Sequence, residues 1–234
     1  MKKIVILTEI FVLVALSYMI QSCEKGILNP YIPKEATNSI IDSGYYPNVP
    51  GCYWRYNIIL SDSIPLVIDS VEVRLVKNET LPDSGKFLTY NYYHFKFGDI
   101  YSTYETLKKD SVIRYNNPSI PYKSFLLLPF NLGQNIVETF NDTTYNTENI
   151  TIQMTVESYD SIFVKAGRFK AYKAVTTITY ERQGTAPYYT RENLYFVPYI
   201  GFIKIENEFW DDNYRKYISK EVWEMTDYKI LKKI

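Results

Sequence analysis

The stretch Ile150-Thr151-Ile152-Gln153-Met154-Thr155-Val156, near the middle of the chain, alternates apolar and polar residues. Successive side chains of a β-strand point to opposite faces, so the apolar residues would share one face and the polar residues the other. The stretch therefore predicts a strand with one buried face and one solvent-facing side.

Similar runs, rich in β-branched and aromatic residues, recur from Tyr53 onward between turn signals such as Pro82-Asp83-Ser84-Gly85. The predicted strands are Tyr53–Leu60, Leu66–Lys77, Lys86–Phe97, Ile100–Leu107, Ser111–Tyr115, Tyr122–Leu128, Ile150–Asp160, Phe169–Glu181, Tyr188–Val197, Phe202–Phe209 and Arg215–Met225. Successive strands joined by short turns predict an all-β fold in one domain. We expect an antiparallel meander that forms a curved sheet, a half-barrel or a barrel-like sandwich.

The N-terminus has the pattern of an export signal. Lys2 and Lys3 precede a mostly apolar segment that ends in Ile20-Gln21-Ser22-Cys23. A basic start, an apolar segment and a small residue before the cleavage site are typical of a secretory signal, and a cysteine directly after that residue resembles a bacterial lipoprotein signal. An uncleaved membrane anchor and plain secretion remain alternatives.

These patterns divide the chain into three parts. Residues 1–22 are the predicted lipoprotein signal peptide, residues 23–50 a lipidated tether rich in proline and asparagine, and residues 51–234 the β-rich domain. Glu24 follows the cysteine, and by analogy with lipoprotein sorting this permits transfer to the outer membrane. The sequence does not decide whether the domain faces the periplasm or the outside.

The composition excludes several classes of protein. The 234 residues include 26 basic and 26 acidic residues, so the chain lacks the basic footprint of a general nucleic-acid binder. The 24 tyrosines, 12 phenylalanines and 3 tryptophans argue against intrinsic disorder. Two cysteines and one histidine are too few for a disulfide framework or a zinc site rich in these residues.

Four segments carry a family resemblance. They are Tyr46-Pro47-Asn48-Val49-Pro50-Gly51-Cys52-Tyr53-Trp54-Arg55-Tyr56, Leu128-Pro129-Phe130-Asn131-Leu132-Gly133, Val164-Lys165-Ala166-Gly167-Arg168-Phe169-Lys170-Ala171-Tyr172 and Tyr195-Phe196-Val197-Pro198-Tyr199-Ile200-Gly201-Phe202-Ile203-Lys204. In this order they resemble a set of uncharacterised Bacteroidota lipoproteins that includes the TapB-like group. The resemblance covers about residues 45–230. It implies a β-rich half-barrel and offers no catalytic residues to transfer.

No motif for catalysis or for a cofactor stands out. The sequence has no Gly-x-Ser-x-Gly elbow and no glycine-rich phosphate loop. Glu206 and Glu208 would share one strand face, with Asp211 and Asp212 in the next turn, but this pattern fits a solvated strand face better than a Ca²⁺ site or a glycosidase pair. We therefore expect no enzyme activity, no metal and no cofactor.

Tyrosines are dense on neighbouring predicted strands and are candidates for ligand binding. They are Tyr90, Tyr92 and Tyr101, with Tyr188 on a later strand. An exposed row of rings could stack on sugars or line the mouth of an apolar site. Cross-strand pairing of aromatic residues is the simpler explanation of the same density.

Four places in the chain carry an Asp-Ser-aliphatic pattern that resembles the O-glycosylation sequon of exported Bacteroidota proteins. Its serines are Ser63, Ser70, Ser111 and Ser161. Occupancy of these sites is a hypothesis, and an intact mass equal to that of the unmodified chain from the native host would contradict it.

Two functions fit these observations. The first is a non-enzymatic cell-envelope lipoprotein that is held in the membrane through Cys23 and binds a partner protein or a lipophilic ligand. The alternative is a surface glycan-binding module that uses exposed aromatic residues.

The lipoprotein interpretation predicts the outcome of a Cys23→Ala substitution. Without the thiol that accepts the diacylglyceryl group, we expect the signal to remain uncleaved at this site and the protein to lose its acyl chains. Metabolic labelling with a radioactive fatty acid, together with membrane fractionation, measures both effects. A variant that is processed and labelled like the wild type would exclude lipidation at Cys23.

Overall fold

The computed structural model describes residues 40–60, 66–82, 85–115, 123–142, 148–182, 184, 186–213 and 215–232. One short helix, α1, spans Ile40–Ser43. The strands are β1 Tyr53–Leu60, β2 Leu66–Thr80, β3 Lys86–His94, β4 Ile100–Leu107, β5 Ser111–Tyr115, β6 Lys123–Leu127, β7 Asn135–Asp142, β8 Glu148–Val164, β9 Gly167–Arg182, β10 Tyr188–Val197, β11 Gly201–Asp211 and β12 Lys216–Lys229.

All of these strands belong to one antiparallel sheet. Its order is β6-β5-β4-β3-β2-β1-β12-β11-β10-β9-β8-β7, so the first and last strands pair at its centre and β6 and β7 are its edges. The sheet is open and curled. The predicted all-β class and curved antiparallel meander are confirmed.

The alternation in β8 has the predicted consequence. Ile150, Ile152, Met154 and Val156 are each at most 4% exposed, and Met154 and Val156 belong to the hydrophobic core. The buried residues of β1 follow the same alternation. Burial of one face therefore fixes the register of the strands, because a shift by one residue would exchange the two faces.

The sequence analysis missed one strand, β7. Its residues include Asn135, Glu138, Thr139 and Asn141, and Val137 is exposed, so β7 lacks the alternation of a half-buried strand. β7 lies at the edge of the sheet and pairs only with β8. An edge strand can form from such a sequence because its backbone bonds to a single neighbour.

Part of the predicted tether packs against the domain. Within residues 40–50, the backbone N–H of Ile40 donates to the carbonyl of Lys109 (3.2 Å), and the carbonyl of Tyr45 accepts from the backbone N–H of Tyr199 (2.9 Å). These bonds join the segment both to the turn after β4 and to the turn before β11. The segment therefore closes one end of the curled sheet.

Trp54 on β1 links this closed end to the centre of the sheet. Its indole Nε1 donates to the carbonyl of Ile200 at 2.5 Å. The next residue, Gly201, has a φ of +104°, and a Cβ at Gly201 would lie 3.2 Å from Trp54 Nε1. Glycine is needed there for both its backbone conformation and the close approach of the indole.

This contact predicts the effect of Gly201→Ala. Both Gly201 and Gly98 have a positive φ, but an added Cβ at Gly98 meets open space. We expect Gly98→Ala to lower the free energy of unfolding by about 1 kcal/mol and Gly201→Ala by about 2–4 kcal/mol, since only the latter also displaces Trp54. Urea denaturation measures both, and equal losses would show that the indole contact contributes nothing.

Candidate functional site

A cavity of about 50 Å³ lies on the concave face of the sheet. Most of its wall is aromatic. The rings that line it are Tyr46, Trp54, Tyr56, Tyr90, Tyr92, Phe202 and Trp223. They come from the segment before β1 and from strands β1, β3, β11 and β12, so the curl of the sheet assembles a site that no single strand could form.

One charged pair lies among these rings. Arg114 Nε on β5 donates to Glu105 Oε1 on β4 at 3.1 Å, and the Tyr46 hydroxyl donates to Glu105 Oε2 at 2.7 Å. The Glu105 side chain is only 7% exposed. The guanidinium carbon of Arg114 also lies 5.3 Å from the centroid of the Phe202 ring. A buried carboxylate needs such partners, because an unpaired charge in this environment would cost several kcal/mol.

A second carboxylate acts on the same guanidinium. Glu192 on β10 lies across the curled sheet and interacts electrostatically with Arg114. Burial opposes the charge of Arg114, but Glu105 and Glu192 together outweigh burial and raise its pKa. Burial raises the pKa of Glu192, and Arg114 offsets only part of this rise. The carboxylate charge of Glu192 is therefore less stable here than in water.

The tyrosine hydroxyls around the pair stay protonated. Burial and the charge of Glu105 raise the pKa values of both Tyr46 and Tyr90 well above the usual value. Burial likewise raises the pKa of Tyr56, whose hydroxyl donates to the carbonyl of Phe202 at 2.7 Å. These phenols act as hydrogen-bond donors to fixed acceptors.

Stacked rings lead from the cavity to the opposite end of the sheet from α1. Tyr92 stacks on Tyr101 with 4.8 Å between ring centroids, and His94 stacks on the same ring at 5.5 Å. His94 also meets the edge of Trp223 at 6.4 Å. Tyr101 is 44% exposed, so this chain of contacts joins the cavity wall to the protein surface.

The surface at this end carries several exposed apolar side chains beside Lys96 and Asp99. Six large hydrophobic residues on β2, β4 and the β3–β4 turn are between 44% and 64% exposed. This apolar tip consists of Leu66, Val67, Phe95, Phe97, Ile100 and Tyr101.

The structure brings three of the four predicted ligand-binding tyrosines together. Tyr90 is buried, Tyr92 is partly buried and Tyr101 reaches the surface, so they form a wall rather than an exposed row. Tyr188 on β10 lies beside Tyr180, and β10 is five strands from β3 in the order of the sheet. Cys23 lies outside the described residues.

The predicted glycosylation serines differ in accessibility. Ser161 is exposed and its Oγ accepts from Arg168 Nε at 2.7 Å. Ser70 is partly buried and Ser111 is buried. Ser63 lies outside the described residues. Ser161 is therefore the most accessible of the described sites, and its modification remains a hypothesis.

The acidic residues singled out in β11 lie away from the cavity. Glu206 bonds to the hydroxyl of Tyr195 (3.1 Å), and Glu208 pairs with Arg191 (2.5 Å). Across the described ranges, no group of three or more His, Cys, Asp or Glu side chains is arranged to hold a metal ion.

Sequence reasoning missed three charged residues of the inner face: Glu105 and Arg114, which line the cavity, and Glu192. Each stands two positions from a buried aliphatic residue of its strand, namely Leu107, Val112 and Leu194. Period-two counting would have placed all three on the inner face, where a charge needs an explanation.

Within the described ranges, no helix has the length and apolar composition needed to cross a bilayer.

The chain matches no protein-family model and no curated protein. Two crystal structures are similar in fold. One is described as a "putative exported protein with YmcC-like fold" from Bacteroides fragilis (TM-score 0.52, 12% identity, covering 79% of this chain and 98% of that one). The other is described as a "putative lipoprotein" from Parabacteroides distasonis (TM-score 0.49, 14% identity, covering 83% and 100%). The first likeness shows that this chain has a YmcC-like fold.

Proposed function

We propose that this protein is a non-enzymatic lipoprotein of the cell envelope, anchored in the outer membrane through Cys23, that binds a partner protein at the apolar tip. The exposure of six large hydrophobic side chains at one end of the sheet carries this proposal. A group of exposed large apolar side chains at one end of a domain is a candidate interaction site.

The conformation of the tip is set by a buried carboxylate. Asp69 Oδ1 accepts from the backbone N–H groups of Ser70 (2.7 Å) and Lys96 (3.0 Å), and its Oδ2 lies 2.5 Å from His94 Nδ1. The Asp69 side chain is 1% exposed. These contacts hold the β3–β4 turn in the shape that presents Phe95 and Phe97, so their exposure belongs to a fixed structure.

The tip lies far from the point where the tether enters. Ile40 bonds to the turn after β4, and β4 runs from Ile100 at the tip to Leu107 near that turn. Seventeen residues separate Cys23 from Ile40, enough to span at most about 60 Å. The tip therefore lies at the end of the domain opposite to the entry of the tether, where a partner can reach it.

The size of the cavity argues against a lipid carrier. Sites for drug-sized ligands enclose about 300–1,000 Å³, whereas this cavity measures about 50 Å³. An acyl chain would have to displace the rings that form the core. A partner protein on the surface requires no such rearrangement.

The ring arrangement also disfavours the glycan-binding alternative. A sugar stacks on an open aromatic face, but Tyr101 covers Tyr92, and Tyr188 lies on a distant strand. The exposed tyrosines therefore do not form one continuous platform.

The contacts of Asp69 predict how stability depends on pH. Burial tends to raise the pKa of Asp69, but the hydrogen bonds from Lys96, His94 and Ser70 outweigh it and lower the pKa below its ordinary value. The contribution of Asp69 to folding is therefore complete above the unfolded pKa of about 4 and is lost as the pH falls through the lower folded value. We expect Asp69→Asn to destabilise the protein most above pH 5, with the difference shrinking below pH 4.

Urea denaturation of wild type and Asp69→Asn from about pH 2 to about pH 7, a range that brackets the ordinary Asp pKa of about 4, measures this difference. Asp160→Asn, a change at an exposed aspartate of β8, is the matched control. A difference for Asp69→Asn that stays constant across this range would refute the role assigned to its hydrogen bonds.

The proposed interface predicts site-specific cross-linking. A photo-reactive amino acid in place of Phe97, introduced in the native host, should give a discrete protein adduct because the partner covers the tip. The same substitution at Phe163, which is 73% exposed against 61% for Phe97, should give none. Equal protein adducts at both positions would contradict the proposed interface, because exposure alone would then decide the result. Lipid or glycan adducts at position 97 would also contradict it and would show that the tip contacts a membrane or a saccharide.

A further inference from the structure

Basic residues collect at the end of the sheet where the tether enters. This entry end consists of residues 40–52, 107–111, 164–170, 197–201 and 229–232. Its exposed lysines are Lys109, Lys165, Lys170, Lys229 and Lys232. None of these five pairs with a carboxylate of the described residues.

Few acidic residues balance these lysines. Asp110 lies in the entry end, and Asp160 lies close to it on β8. Both are exposed and, within the part of the chain that the structure describes, neither has a basic partner. Asp227 is also exposed, but it already pairs with Arg55. The surface of the entry end is therefore positively charged.

Contacts between separate elements hold the lysines at one end of the domain. The backbone N–H of Ala166 donates to the carbonyl of Met225 (3.0 Å), which places the β8–β9 turn beside β12. After β12, the backbone N–H of Leu231 donates to Cys52 Sγ at 3.2 Å. The turn after β4 bonds to the first described residue of the tether. Lysines from three parts of the chain therefore surround the point where the tether leaves the domain.

One large apolar side chain lies among these charges. Phe163, the second-last residue of β8, is 73% exposed, the highest fraction of any large hydrophobic residue in the described ranges. The guanidinium carbon of Arg168 lies 5.3 Å from the centroid of its ring, and Lys170 Nζ lies 4.7 Å from the centroid of the Tyr159 ring. The β8–β9 hairpin therefore presents rings and positive charges together. The same combination of side chains binds amphipathic helices to the surface of anionic membranes.

The tether would keep a membrane within reach of this end. The chain between Cys23 and Ile40 spans at most about 60 Å. An anchor at that distance raises the local concentration of the lipid surface, so weak contacts of the entry end would be populated.

We propose that the entry end lies against the anionic lipid head groups of the membrane that holds the anchor. The lysines contact the phosphate groups, and Phe163 enters the interface. In the cell this contact rests on the proposed anchor at Cys23. The surface itself requires no acyl chain, so vesicle binding tests it apart from the anchor and from the tip.

The first experiment measures binding to vesicles without the anchor. The mature chain, residues 23–234, carries no acyl group when it has the substitution Cys23→Ser. It should sediment with vesicles of phosphatidylglycerol and phosphatidylcholine, half bound at about 0.1–1 mM lipid, because each lysine near an anionic surface contributes about fivefold in affinity. Vesicles of phosphatidylcholine alone should bind it at least about tenfold more weakly. Raising the salt from about 0.05 M to about 0.5 M should release the protein, because salt screens these charges.

Variants separate the charge from the apolar contact. Lys165→Gln combined with Lys170→Gln should weaken binding to the anionic vesicles by about 25-fold. Phe163→Ser should weaken it by about fivefold to tenfold. Lys216→Gln, at an exposed lysine of β12 at the opposite end of the sheet, is the matched control and should bind like the wild type. All four side chains are exposed, so these variants should fold like the wild type.

Four results would overturn the proposal. They are no binding to either kind of vesicle, equal binding to both, unchanged binding by the double lysine variant, and a loss of binding by Phe97→Ser in place of Phe163→Ser. The last result would assign the lipid contact to the tip.

Photo-cross-linking of the lipidated protein in the native host separates this proposal from the proposed function. The photo-reactive residue in place of Phe163 should give phospholipid adducts, and a protein adduct or no lipid adduct there would overturn the membrane contact. A protein adduct at Phe97 without vesicle binding would keep the partner at the tip and remove the membrane contact. Vesicle binding and lipid adducts at Phe163, without a protein adduct at Phe97, would remove the partner and keep the membrane contact.

Discussion

The buried carboxylate of Glu105 is the point on which both the fold and the cavity depend. It accepts from Arg114 on β5 and from Tyr46 in the segment before β1, and so connects the inner face of the sheet to the segment that closes its end. Loss of one partner of a buried pair leaves the other charge uncompensated, which typically costs about 3–5 kcal/mol. An apolar pair could fill the same space, but it would remove the only cation of the cavity wall among the described residues.

The sheet could be predicted because each strand carries its own evidence. Ile150 and Met154 alternate with polar residues, and the same alternation repeats along the chain, so one buried face follows from the sequence. The role of residues 40–50 could not be predicted. Tyr46 is buried at 4% exposure within a stretch whose prolines and asparagines indicate a tether, because its partners lie on strands far along the chain. Such burial depends on tertiary contacts that local patterns do not record.

The tyrosines of the site could be predicted from the sequence, whereas its charged residues were not. The density of tyrosines led to Tyr90 and Tyr92, which do line the cavity. It also suggested an exposed platform, whereas Tyr92 is covered by Tyr101. Arg114 and Glu192 were not singled out in the sequence, although each stands two positions from a buried aliphatic residue of its strand. Their electrostatic interaction depends on the curl of the sheet, because β5 and β10 are not neighbours in it.

The tip and the cavity share one physical connection, the stack of Tyr92 on Tyr101. Tyr92 lines the cavity and Tyr101 belongs to the apolar tip, with His94 packed against both Tyr101 and Trp223. A partner that covers Tyr101 would also restrict Tyr92 in the cavity wall, because the two rings are in contact. The stacked pair therefore connects the tip to the cavity wall through two rings that lie nine positions apart along the chain, although most of the cavity is contributed by other strands.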